Sequence, residues 1–153
     1  MCVIIDANQF GDFAAPNTNQ SSKDGMGRLH KWIQKRGKVV YPQFGKYAEE
    51  IAGNSKVVRV LKRYKRMSRV TVPHRSELDN AIKEFKKKNI KSNDAHILAV
   101  AKASHATLLC TKDCDLMDDF RDFISDGKIY PDSETYPNSK KAQEKMLREN
   151  TCP

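Results

Sequence analysis

The chain begins with Cys2-Val3-Ile4-Ile5-Asp6, an apolar run that does not alternate and that ends on a carboxylate. A strand with one wet face alternates apolar and polar side chains, whereas a strand covered on both faces has no need to. Similar short segments recur along the sequence. Lys38–Tyr41 is stopped by Pro42, and Arg69–Val72 alternates up to Pro73. Ala106–Thr111 is a fourth segment, and Lys128–Tyr130 reads as a small edge strand. Between them lie segments of helical period: 28–35 with Leu29, Trp32 and Ile33; 46–51; 55–67; a stretch with Leu78, Ile82 and Phe85; the apolar 95–101; and 116–123. Strands alternating with helices predict an α/β domain with a mainly parallel sheet and right-handed crossovers.

Local signals punctuate these elements. Gly37 follows the first helix as a stop signal, and Gly53-Asn54 ends the second. Ser76 reads as an N-cap, and Ser92 or Asn93 as a cap for the helix that Asp94 opens. The polar, Asn-, Gly- and Ser-rich stretch 8–27 reads as a loop. Trp32 reads as core.

Four carboxylates stand where such a fold delivers ligands. Asp6 closes the first strand, Glu50 precedes Ile51 on an early helix, Asp94 opens the apolar helix, and Asp113 follows the last long strand. An open α/β sheet builds its ligand site from loops at the carboxyl ends of its strands. Like charges brought together stay ionised only when something positive sits among them, and oxygen ligands favour magnesium or manganese over zinc. Each acid also has a plainer reading: Asp6 and Asp113 as turn residues, Asp94 as a helix cap, Glu50 as a solvated charge. Asp118, Asp119 and Asp122 read as the acidic face of the helix that follows. His30, His74, His96 and His105 show no metal or triad spacing, although His96 falls near the acids.

The 153 residues suit one domain with a sizeable core, and 28 Lys and Arg against 19 Asp and Glu give a net charge of +9. A basic body around an acidic site suits a protein that holds a polyanion over metal ions. The 55–67 helix places Val57, Val60, Leu61 and Tyr64 on one face and Arg59, Lys62, Arg63 and Arg66 on the other, a solvated face or an RNA-backbone contact. Lys112 reads as a surface lysine or a phosphate contact. Cys110 and Cys114 lack the companion ligands of a zinc site, and Cys110 reads as a strand residue. The start Met1-Cys2-Val3 shows no basic leader, and no stretch approaches membrane-spanning length. Reducing cytoplasm is the expected compartment. From Pro131 the composition changes, so residues 1–130 are expected to form the domain and 131–153 a C-terminal appendage.

Taken together, Val-Ile-Ile-Asp6-Ala-Asn8, Glu50-Ile51, Ser-Asn-Asp94 before an Ala-rich helix, and Thr111-Lys-Asp113-Cys-Asp115-Leu resemble the PIN-domain nuclease family. They run in the family's order across residues 2–125. The resemblance implies a three-layer sandwich and a metal-dependent endoribonuclease that cuts single-stranded RNA with water. It implies Asp6, Glu50, Asp94 and Asp113 as the acidic quartet, Asp115 as a fifth metal ligand, and Asn8 and Thr111 as supporting side chains. Mg2+ or Mn2+ is the implied cofactor. Implied partners are RNA, an antitoxin or other regulatory protein where the role is that of a toxin, and a second copy in a homodimer. Defence and RNA-processing roles are equally family-like. The alternatives are an inactive PIN-like module that binds RNA or protein, and a DNA-cutting nuclease. Glu49 beside Glu50 competes for the second position. A phosphoacceptor receiver domain is excluded, because Ala7 follows Asp6 and Pro73 follows Val72 where that class needs acids.

Overall fold

The computed structural model describes residues 2–15, 25–130 and 140–150. Five short strands, β1 (Cys2–Ile5), β2 (Lys38–Val40), β3 (Val70–Thr71), β4 (Leu108–Cys110) and β5 (Lys128–Ile129), form one sheet in the order β3-β2-β1-β4-β5. Every ladder is parallel; Val3 pairs with Val39 on one side and with Leu108 on the other. The helices are α1 (Phe10–Ala14), α2 (Met26–Lys35), α3 (Lys46–Ala52), α4 (Ser55–Arg66), α5 (Arg75–Phe85), α6 (Ala95–Ser104), α7 (Cys114–Phe123) and α8 (Lys140–Glu149). The chain steps from β1 to β2 to β3 in one direction, then crosses back to β4 and β5. Right-handed crossovers send the two helix sets to opposite faces, which makes the three-layer α/β sandwich. All four residues of β1 are buried, as its lack of alternation requires.

Several boundaries differ from the sequence reading. The start of the 8–27 stretch is not loop: Ala7–Gln9 make a 3-10 turn and α1 follows, because Phe10 and Phe13 share a face and both are buried. Residues 16–24 lie outside the described residues. Helix α2 starts at Met26, entered through Gly25 at φ 80, a backbone conformation glycine adopts without strain. Helix α5 starts at Arg75 with His74 at its cap, so Ser76 is already inside the first turn. Helix α7 starts two residues early, at Cys114, because the Asp113 carboxylate accepts the Leu116 N–H at 3.1 Å.

His30, Tyr64 and Phe13 tie α1, α2 and α4 together. The imidazole Nε2–H of His30 donates to the Phe13 carbonyl at 2.8 Å, and Nδ1 takes the hydroxyl of Tyr64. Burial holds this imidazole neutral, pushing its pKa down to about 4, and Arg63 adds to the effect. At the other end of the chain α8 buries Gln143 and Leu147. Just after it, Asn150 donates to the Cys2 carbonyl at 3.0 Å and accepts from the Thr107 hydroxyl at 2.8 Å. Cys2 is disulfide-bonded, whereas Cys110 and Cys114 are free thiols.

Candidate active site

The strand order reverses between β1 and β4, and in an open parallel sheet the crevice for a ligand opens beyond the carboxyl ends of the two strands at that switch. Asp6 leaves β1 there, its N–H still bonded to the Cys110 carbonyl of β4 at 2.9 Å. Its side chain is buried and fixed at both oxygens. One accepts the Ala7 N–H at 2.7 Å and the other the Thr111 hydroxyl at 2.7 Å. Thr111 Oγ1 in turn accepts from the Asn8 amide at 3.2 Å and from the Asp113 N–H at 3.0 Å, which uses its full hydrogen-bonding capacity. The Asn8 carbonyl oxygen accepts the Lys112 N–H at 3.1 Å. The ends of β1 and β4 are thereby stitched together through the side chains of Asn8 and Thr111.

Glu50 comes from α3, whose register is set by Tyr47 and Ile51, both buried. The Tyr47 hydroxyl donates to the Ile5 carbonyl at 2.6 Å and receives the Ile5 N–H at 3.3 Å, pinning α3 immediately behind Asp6. Glu50 is half-buried toward the site and Glu49 is exposed. Asp94 stands at the N-cap position of α6, yet its carboxylate makes no capping hydrogen bond and is left to face the crevice. Between these two acids lies His96, with Nε2 3.1 Å from Glu50 and Nδ1 3.9 Å from Asp94.

The electrostatics show that these acids feel one another. Burial holds the Asp6 carboxyl above the ordinary carboxylate range, the charges on Asp94 and Glu50 raise it further, and the Thr111 and Ala7 hydrogen bonds oppose the rise. Asp94 is likewise raised, chiefly by burial, with Asp113 and Glu50 adding and His96 and Lys46 opposing. Asp6 thus feels the charges of Asp94 and Glu50, and Asp94 those of Asp113 and Glu50. Asp115, in the first turn of α7, is exposed. Among the described residues no three His, Cys, Asp or Glu side chains stand in a metal-ligating arrangement.

Asp119 is not part of a solvated acidic face, as its place on α7 suggested. It is 1% exposed and accepts the N–H groups of Lys91 at 2.9 Å and Ser92 at 2.8 Å. Burial would raise this carboxyl, but those backbone donors outweigh it and hold it below the usual range. The loop carrying Asp94 is moulded on this buried carboxylate. No periodicity could reveal it, since its partners are backbone groups. The sequence placed His96 near the acids, but its bond to Glu50, 46 residues away, was hidden.

The cations are arranged otherwise. Arg59, Lys62, Arg63 and Arg66 are exposed on α4, opposite its buried Val57, Leu61 and Tyr64. Helix α4 spans about 18 Å and descends to the start of β3. Parallel pairing puts that start at the amino edge of the sheet, away from Asp6. Arg63 and Arg66 are therefore not brought to the acids, and Arg59 is nearer to them. Lys112 is paired with Asp12 at 2.9 Å.

A family model described as PIN domain matches residues 34–122, more than half of the chain. The chain belongs to the PIN-domain family. PIN domains are in general nucleases, hydrolases of phosphodiester bonds. The matched segment holds Glu50, Asp94, Thr111, Asp113 and Asp115; Asp6 and Asn8 precede it, at the end of β1, which pairs with β4. No curated protein and no solved structure matches the chain. Among the described residues no helix is long and apolar enough to cross a membrane.

Proposed function

We propose that this PIN-domain protein is a divalent-metal-dependent endoribonuclease that hydrolyses phosphodiester bonds in single-stranded RNA. What supports the reading is Asp6 at the carboxyl end of β1 beside the strand-order switch, Glu50 and Asp94 flanking His96, and the raised Asp6 and Asp94 carboxyls, each with neighbouring acids among its causes. Crowded carboxylates cost stability unless a cation joins them. The donor set is all oxygen, and each oxygen of Asp6, already holding one hydrogen bond, keeps a further acceptor position. That set fits Mg2+ or Mn2+, with Asp6 central, Asp94 and Asp113 beside it, and Asp115 able to join from α7. Bound there, such an ion supplies Lewis acidity toward the phosphate and a water acidified to near neutrality.

This chain's own side chains do the rest. Thr111 and Asn8 fix the rotamer of Asp6, so that it meets the substrate without reorganising. Glu50, held by His96, takes the proton of the attacking water or orients that water. The +9 balance draws the RNA backbone to the protein, and Arg59, at the end of α4 nearer the acids, helps to guide it there. Residues 1–130 carry this machinery, and α8 packs against them through Leu147 and Gln143.

A second reading has one observation in its favour: the described acids do not stand in a ligating arrangement, as in a PIN scaffold that grips RNA without cutting it. One experiment separates the two. Purified protein, given a labelled single-stranded RNA and a matched DNA, should cut the RNA faster in magnesium or manganese and stop on chelation. Binding without cleavage supports the scaffold, and cleavage that survives complete chelation rejects the metal mechanism.

A further inference from the structure

We propose that the cavity behind His96 is a nucleobase pocket, which seats the base of a nucleotide flanking the cut phosphate and sets the sequence preference of the enzyme. The proposal rests on the nuclease reading and adds a specificity site to it. The cavity measures about 360 Å³ and is lined by Gly45 and Lys46 at the entry to α3, Ile82 and Lys86 of α5, and Asn93 and Ala95 around the start of α6. His96 forms its remaining wall, and the same ring contacts Glu50 and Asp94. Whatever occupies the cavity is therefore one side chain away from the acids.

The lining has the chemistry a base requires. Ile82 and Ala95, both half-buried, offer apolar walls to a flat ring. Asn93, exposed beside Asp94, carries an amide that donates and accepts, as reading a base edge demands. Lys46 and Lys86, both exposed, supply positive charge for the attached phosphates, and Lys46 already acts on Asp94. Gly45 sits at φ 88, where any other residue would be strained, so the wall beside Ile82 stays without a side chain. The volume lies at the small end for ligand sites, which suits a mononucleotide rather than a folded partner. Specific recognition of single-stranded RNA works in this way, with splayed bases held by apolar contact and read at their edges.

The test uses the full chain and four labelled RNA pentamers that differ only in the central base. Binding is read by fluorescence anisotropy in metal-free buffer, and cleavage is read separately in magnesium or manganese. Wild type should discriminate the best from the worst base by about tenfold. Asn93→Ala should reduce that ratio to under about threefold, and Ile82→Ala should weaken the preferred pentamer most. Lys86→Ala should weaken all four alike, as loss of a phosphate contact does. Equal wild-type affinity for the four bases, or a preference that survives both Asn93→Ala and Ile82→Ala with unchanged melting curves, overturns the pocket. Base-selective binding without any cleavage leaves the pocket standing and rejects the nuclease reading, so the two fail separately.

Discussion

The carboxyl edge of the sheet carries acids whose charges raise the Asp6 and Asp94 carboxyls, and the amino edge carries cations and satisfied polar pairs. At the first edge, supporting bonds from Thr111, Asn8 and His96 hold acids in mutual repulsion. At the second, the Arg69 guanidinium donates to the Lys35 carbonyl at 2.9 Å, and Asn150 closes the starts of β1 and β4. The amino edge is arranged so that little is left wanting. The carboxyl edge is held in an arrangement that its own charges oppose, and proteins maintain such arrangements where chemistry needs them. The difference teaches where to perturb: changes at the acids should cost activity and largely spare stability, and changes at the supports should cost stability first and activity through it.

The largest effect is expected at Asp6. Asp6→Asn should lower cleavage by more than about 100-fold with only a small change in melting temperature, because the relief of repulsion is offset by the loss of one of the two hydrogen bonds its oxygens accept. A large fall in melting temperature would make Asp6 a structural residue and erase the contrast. Next, Glu50→Gln should cost about 10- to 100-fold in cleavage, and Glu49→Gln less than about threefold. Steady-state kinetics on both folded variants decides it, and a larger loss at Glu49 contradicts the placement of α3.

Asp119 sharpens the comparison because it serves the acidic edge through structure alone. Asp119→Ala strands the N–H groups of Lys91 and Ser92 and should destabilise by roughly 2–4 kcal/mol in denaturant titration. Activity should fall with it as the Asp94 loop loosens.

These expectations also mark how far the sequence could be read. The strands were legible because Cys2–Ile5 and the 106–111 run are apolar without alternation, and the five-stranded α/β order followed from the helices between them. Asp6 and Asp113 were legible as carboxylates ending apolar runs. Glu50 was legible only as one of two adjacent acids; the burial of Tyr47 and Ile51 turns it, rather than Glu49, inward on α3. The nearness of His96 to the acids was legible, but its bond to Glu50 and the role of Asp119 were not, because each depends on a partner distant in sequence or on backbone N–H groups that no side-chain pattern encodes. Helix α1 was hidden for another reason: two buried phenylalanines in a polar stretch are too few to show a period.

Away from both edges, His30 gives a pH prediction. Its folded pKa, about 4, lies below the ordinary 6.5, so the unfolded chain takes up the proton first as the pH falls. Its contribution to stability is complete above pH 6.5, declines between 6.5 and 4, and is flat below. Melting curves from pH 7 to pH 4 should show wild type losing on the order of 2 kcal/mol more than His30→Gln over that window. Parallel curves would mean that His30 does not titrate there.

The smallest effect belongs to α4. Arg59→Glu should weaken RNA binding severalfold and flatten its salt dependence, while Arg66→Glu, at the amino edge, should do less. Equal losses would mean that the RNA runs the full length of the helix.

The central claim is that the carboxyl edge is built for a divalent cation. Manganese uptake, read from the loss of the free-ion electron paramagnetic resonance signal, tests it without RNA or turnover. Wild type should take up manganese, and Asp6→Asn and Asp94→Asn should each weaken that uptake at least about tenfold with the fold intact. Uptake that is absent in wild type, or equal in all three proteins, would contradict the account.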